Sequence, residues 1–142
     1  MIYFPLNVTL SAAQKAQLLA QDTATEKGIT HNELSEELIN TFLHMFPTPS
    51  KIRLTSIAPN EKVTIEAEDH SERKSVIVFP LSDKYTPFTV KENDKELQVP
   101  DMTCYAFNTT LSRKINNNET RRVSLQLWYD MTIQELLETM MV

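Results

Sequence analysis

The sequence predicts a mainly β chain of the α+β class, a sandwich or barrel of about eight short strands with helices toward the chain ends. Three observations carry this. From Lys51 onward, apolar residues recur with a period of two. Turn residues break these runs at Pro59-Asn60, Asn93-Asp94, Pro100-Asp101 and Asn116-Asn117-Asn118. Helical periodicity is confined to stretches before Pro47 and after Thr132.

The elements follow in order. Ile2, Tyr3, Phe4 and Leu6 form a short apolar strand or arm. Ser11 and Gln14 make a capping box for a helix over residues 12–21, rich in Ala, Leu and Gln. A second helix is predicted from Thr30, with Glu33 completing its capping box. Its apolar stripe is Leu34, Leu38, Phe42 and Met45, and Pro47 and Pro49 stop it. Ile52, Leu54 and Ile57 then lead the first core strand. Val63, Ile65 and Ala67 alternate against Thr64, Glu66 and Glu68 on the next. Val76 to Phe79 is a continuous apolar run, as for a strand buried on both faces. Strands follow at residues 88–90, 96–99, 102–108 and 113–115. The strongest strand signal is Arg121 to Tyr129. Val123, Leu125, Leu127 and Tyr129 share one face; Arg122, Ser124, Gln126 and Trp128 share the other. Thr132 and Glu135 cap a last helix carrying Ile133, Leu136, Leu137 and Met140. A single domain is predicted over residues 1–142: a helical part at 1–50, a β core at 51–130 and a terminal helix at 131–142.

Composition narrows the function classes. A net charge of −5 with scattered basic residues argues against a nucleic-acid partner. No basic n-region and no long apolar run occur, so neither a signal peptide nor a membrane span is predicted. A cytoplasmic protein fits, as does a virus particle component made in a host cytoplasm. The single cysteine, Cys104, excludes an internal disulfide and reads as a buried, inert thiol among Met102, Tyr105 and Phe107. With only Gly28 as glycine, positive-φ turns must rest on Asn and Asp.

The order of pieces from Ile57 onward resembles the double-stranded β-helix, a jelly-roll barrel, of the 2-oxoglutarate and Fe(II)-dependent hydroxylases. The likeness is to small aspartyl- and prolyl-hydroxylase-like proteins of phage type. The pieces are I-A-P-N-E-K-V-T-I-E-A-E, V-I-V-F-P-L, T-P-F-T-V, P-D-M-T-C-Y-A-F-N-T-T and I-N-N-N-E-T-R-R-V-S-L-Q-L-W-Y. The last is the most specific, because that family carries an Asn-containing turn followed by R-x-S-L.

The resemblance implies an Fe(II) site of His-x-Asp plus a second His, and an Arg on the last strand that pairs with 2-oxoglutarate. Arg122 fits the R-x-S-L position. The His-x-Asp position falls on Glu66-Ala67-Glu68, and the second His on Ser112 or Arg113; no histidine follows His70. A weaker metal pair is His70 with Glu72. His31 and His44 fall on the predicted second helix or its cap and have no partner at metal spacing. If Glu66 and Glu68 face the interior, Arg113 or Arg122 would neutralise them there; the alternative is that Glu66, Glu68 and Arg122 are solvated.

The pocket candidates are therefore Arg122, Ser124, Trp128, Glu66, Glu68 and Arg113, with no catalytic residue assigned. The expected function is a non-catalytic jelly-roll module without cofactor, used for assembly or protein binding, as in a phage virion or against a host protein. The alternative is a hydroxylase using Fe(II) and 2-oxoglutarate at an atypical site built on His70, Glu72 and Arg122. A third reading keeps the Arg122 pocket for a carboxylate without metal.

Overall fold

The computed structural model describes residues 1–22, 27–34, 37, 45–66, 74–82 and 86–140. Its strands are β1 (Tyr3–Pro5), β2 (Ile29–Glu33), β3 (Lys51–Ile57), β4 (Lys62–Ile65), β5 (Ser75–Pro80), β6 (Phe88–Glu92), β7 (Lys95–Val99), β8 (Tyr105–Asn108), β9 (Ser112–Asn116) and β10 (Arg122–Tyr129). Among the described residues the helices are α1 (Ala12–Leu19) and α2 (Ile133–Met140). The strands form two antiparallel sheets, ordered β1-β8-β5-β10-β3-β2 and β4-β9-β6-β7. The mainly β fold is the predicted one, and the strands expected from Lys51 onward are β3 to β10.

Alternation decides the layers. Val123, Leu125, Leu127 and Tyr129 of β10 join Ile52, Leu54, Ile77 and Phe79 on the outer face of the larger sheet. Leu18 of α1 and Ile133 and Leu136 of α2 close over that face. Both helices begin at the capping boxes read from the sequence. Gln14 N–H donates to Ser11 Oγ at 3.1 Å, and Glu135 N–H to Thr132 Oγ1 at 3.2 Å. The inner face carries Val76, Val78, Tyr105, Phe107 and Trp128, packed against Phe88, Val90, Val99 and Ile115 of the smaller sheet. β5 serves both layers, so all of its residues are buried.

Asn and Asp do take the positive-φ positions, at Asn60, Asn93 and Asp94. Asn93 and Asp94 link Glu92 to its partner Lys95, a two-residue β6–β7 hairpin in which positive φ at both centres matches the strand twist.

The second helix is corrected at its start. Thr30 to Glu33 is not a first helical turn; it lies in β2, paired with β3 through Thr30 to Ser56 and His31 to Thr55. The ladder to β3 satisfies the backbone groups that a helix would otherwise pair, so tertiary pairing overrides the local capping pattern. Gly28, at φ 77°, turns the chain into β2, and its carbonyl accepts from Ala58 N–H at 3.0 Å. Leu38, Phe42 and His44 lie outside the described residues.

Candidate functional site

The polar face of β10 opens onto a cavity of about 170 Å³ between the sheets. Arg122, Ser124, Gln126 and Trp128 line it, as their spacing predicts. Antiparallel register extends this face sideways. Ser124 pairs with Thr55, which pairs with His31, and Gln126 pairs with Arg53. One half of the cavity floor is thus polar. Val76, Val78 and Tyr105 make the other half apolar. Across the gap, β9 contributes Arg113 from the smaller sheet.

The strand geometry fixes these side chains. Asn117 Nδ2 donates to the carbonyls of Ile57 and Ala58, and Asn60 N–H donates to Asn118 O at 2.7 Å. The predicted Asn-rich turn therefore clasps the Pro59-Asn60 turn and carries the chain from β9 in one sheet to β10 in the other. Arg122 enters the larger sheet directly after this clasp. Its Nη1 donates to Thr86 O at 2.6 Å and to Thr86 Oγ1 at 3.2 Å. Its guanidinium lies 5.7 Å from the Phe88 ring centroid. Along β10, Trp128 Nε1 donates to Gln126 Oε1, and Gln126 Nε2 donates to Ser124 Oγ at 3.3 Å. Ser124 accepts in that contact, so its own O–H is left to donate toward the cavity.

Three guanidiniums face one cavity, each above an aromatic ring: Arg53 over Trp128 at 5.3 Å, Arg113 over Phe107 at 5.1 Å, and Arg122 over Phe88. Such contacts contribute about 0.5–2 kcal/mol each, depending on desolvation. Arg113 and Arg122 are 8% and 4% exposed. Arg122 is thus not the solvated residue of the surface alternative.

Glu66 corrects the interior ion-pair expectation. It is exposed and borders a trough on the outer face of the smaller sheet with Thr64, Lys91, Glu96 and Lys114. Val63 and Ile65, rather than Thr64 and Glu66, are the β4 residues packed toward the inter-sheet core. The strand is read correctly as alternating, but the apolar half takes the interior because burying carboxylates there is costlier. Glu68, His70 and Glu72 lie outside the described residues. Ser112 borders the outer trough, whereas Arg113 borders both that trough and the cavity.

Sequence reasoning also missed three lining residues. His31, expected near a helix cap, lines the cavity from β2, with Nδ1 2.9 Å from Thr55 Oγ1. Arg53 and Thr55 alternate with Ile52 and Leu54, the same signal that marked the polar face of β10.

The described lining does not fit a divalent metal. It offers one imidazole, three guanidiniums and no carboxylate, and no group of three His, Cys, Asp or Glu side chains occurs among the described residues. Cys104 is buried beside β8, and burial pushes its thiol up to about 12. Among the described residues no helix is long and apolar enough to cross a membrane.

No family model matches the sequence, and no curated protein matches it. Solved structures do. An oxidoreductase of the 2OG-Fe(II) oxygenase family from Burkholderia pseudomallei superposes with a TM-score of 0.64 at 14% identity, covering 89% of this chain and 82% of that one. A prolyl-4-hydroxylase from Pseudomonas putida gives 0.59 at 13% identity, over 90% and 91% of the two chains. The viral collagen prolyl hydroxylase of Paramecium bursaria Chlorella virus-1, solved with 2OG, gives 0.54 at 9% identity, over 90% and 95%. At these identities what is shared is the architecture: the chain has the double-stranded β-helix fold seen in 2OG-Fe(II) oxygenases and prolyl hydroxylases.

Proposed function

We propose that the chain is a non-catalytic binding module on an oxygenase-like double-stranded β-helix, whose inter-sheet cavity takes a carboxylate at Arg122 without metal. One observation carries this reading: the described polar lining is basic or neutral throughout. A guanidinium fork with Ser124 O–H beside it matches a carboxylate, whereas the same lining repels a cation. The test is a thermal melt in excess EDTA with increasing butyrate. Stabilisation that is lost in Arg122→Met is the expected result; no shift at millimolar butyrate would overturn it.

A protein partner or self-assembly is the proposed setting, as in a phage particle or on a host protein. Light scattering and a pulldown from the native host test this half. A strict monomer with no partner counts against it.

The fold likeness to prolyl hydroxylases favours a second reading, an Fe(II)/2-oxoglutarate hydroxylase that completes its site with His70 and Glu72. Stabilisation by Mn(II) with 2-oxoglutarate that vanishes in His70→Ala would establish metal loading and displace the non-catalytic reading.

A further inference from the structure

We propose that β7 is a docking edge for a second copy of this chain, joining two four-stranded sheets antiparallel about a two-fold axis at Leu97. This rests on the self-assembly reading above and gives it a surface and a partner.

β7 is the outermost strand of the smaller sheet and lies within the continuous described stretch 86–140. Its two-residue hairpin with β6 fixes the hydrogen-bond phase. Glu92 and Lys95 close the turn as a bonded pair, so the backbones of Lys95, Leu97 and Val99 face β6. The N–H and C=O groups of Glu96 and Gln98 point away from the sheet and make no hydrogen bond among the described residues. Sheet edges are ordinarily blunted by a proline or a bulge. β1 shows this. Asn108 N–H donates to Ile2 O and Leu6 N–H donates to Cys104 O, so Ile2, Phe4 and Leu6 face β8, and Pro5 stands in the outward phase without an N–H. β7 carries no such block between Lys95 and Val99. It also leaves an apolar side chain open. Val90 and Val99 are fully buried, whereas Leu97, on the same face and paired with Val90, is 45% exposed.

The strand's own sequence selects the occupant. Outward groups at Glu96 and Gln98 allow antiparallel self-pairings centred on Glu96, Leu97 or Gln98. Centring on Glu96 sets two carboxylates directly opposite each other, which is destabilising. Centring on Gln98 sets Glu96 against Pro100, which has no N–H, and sets Leu97 against a Val99 that is already buried. Centring on Leu97 lets Glu96 and Gln98 of each copy exchange both backbone bonds with Gln98 and Glu96 of the other. The two Leu97 side chains then meet as a non-hydrogen-bonded pair, where cross-strand side chains approach most closely. Each Glu96 carboxylate lies between Lys91 of its own β6 and the second copy's Gln98 amide, with the other Glu96 only diagonal to it. A second copy supplies this complementarity by symmetry. Two five-residue strands bury less than the roughly 1,200 Å² of a stable interface, so the dimer is weak, with a Kd of about 10 µM to 1 mM.

Sedimentation velocity of the full chain from about 10 µM to 1 mM tests the pairing. A monomer–dimer equilibrium is the expected result. Gln98→Pro removes an outward N–H without touching the ladder to β6, and abolishes the dimer. Leu97→Lys places two ammonium groups opposite each other on the axis and raises the Kd at least about tenfold. A circular-dichroism melt at low concentration checks that both variants fold. Hydrogen exchange in the wild type is a readout that needs no variant. The Glu96 and Gln98 amides gain protection with rising concentration, whereas the Leu97 amide, bonded to β6, is protected throughout. A monomer at about 1 mM overturns the pairing, and a host partner captured by that monomer leaves the broader assembly reading standing. A dimer that persists in Gln98→Pro, with the Glu96 and Gln98 amides unprotected, places self-assembly elsewhere and overturns this edge. Species larger than a dimer overturn the two-fold pairing. A monomer with no partner at all overturns the assembly reading and this surface with it.

Discussion

Arg122→Ala tests whether the guanidinium is a held part of the inter-sheet layer. The substitution removes two hydrogen bonds to Thr86, at 2.6 and 3.2 Å, and the contact with the Phe88 ring. Hydrogen bonds from a charged donor contribute about 1.5–3 kcal/mol, and the ring contact about 1 kcal/mol. Removing a buried cation also relieves its desolvation cost, which offsets part of this loss. A net destabilisation of about 2–3 kcal/mol remains. For a chain of this length that lowers Tm by about 6–10 °C. The assay is a circular-dichroism melt in EDTA, with Thr86→Val and the double variant as controls. Thr86→Val removes the longer bond and the 3.5 Å contact from Thr86 Oγ1 to Asn116 O, and costs about 1 kcal/mol. The double variant falls short of the sum of the two, because both changes break the same contact. A Tm for Arg122→Ala within about 2 °C of wild type would refute the held geometry.

Three further outcomes follow from the packing. Leu125 is fully buried at the centre of the outer-face core, so Leu125→Ala should cost about 3–4 kcal/mol in a urea melt; a loss below about 1 kcal/mol would contradict that placement. Burial raises the Cys104 thiol from its ordinary 9.0 to about 12, so the folded state favours the neutral thiol. That stability is fully present below pH 9 and declines as pH rises toward 12, with Tyr129, also pushed up by burial, declining in parallel. A melt series from pH 8 upward checks it, and thiol reagents at pH 8 should react with Cys104 only on unfolding. Asp94 holds φ 64° in the β6–β7 hairpin, so Asp94→Gly should stabilise by about 0.5–1 kcal/mol, read as a small rise in Tm; a fall would show that its side chain matters more than its backbone.

The legible parts of this fold were those set by local chemistry. The capping boxes at Ser11 and Thr132 and the Asn93-Asp94 turn depend on residues within a few positions of each other, so their sequence signals need no tertiary partner. Residues 30–33 show the limit. T-H-N-E satisfies a capping pattern, yet the segment pairs with β3, far along the chain. Glu66 shows a second limit. The period of two is visible at β4, but period alone gives two faces and does not say which one the other sheet will cover.

The candidate site divides the same way. For Arg122, Ser124, Gln126 and Trp128 the sequence alone determined that they share a face, because a strand alternates its side chains, and that this face is polar while its reverse is apolar. Only the tertiary structure decided what that face looks into. The six-stranded order places β10 between β3 and β5, which aligns Arg53, Thr55 and His31 with it. The clasp of Asn117 and Asn118 on Pro59–Glu61 sends β9 and β10 to different sheets, so Arg113 and Arg122 meet across a cavity rather than along a strand. The physical reason is that alternation is a property of one strand's backbone, whereas convergence depends on which strands pair, and pairing is settled by burial of the whole chain.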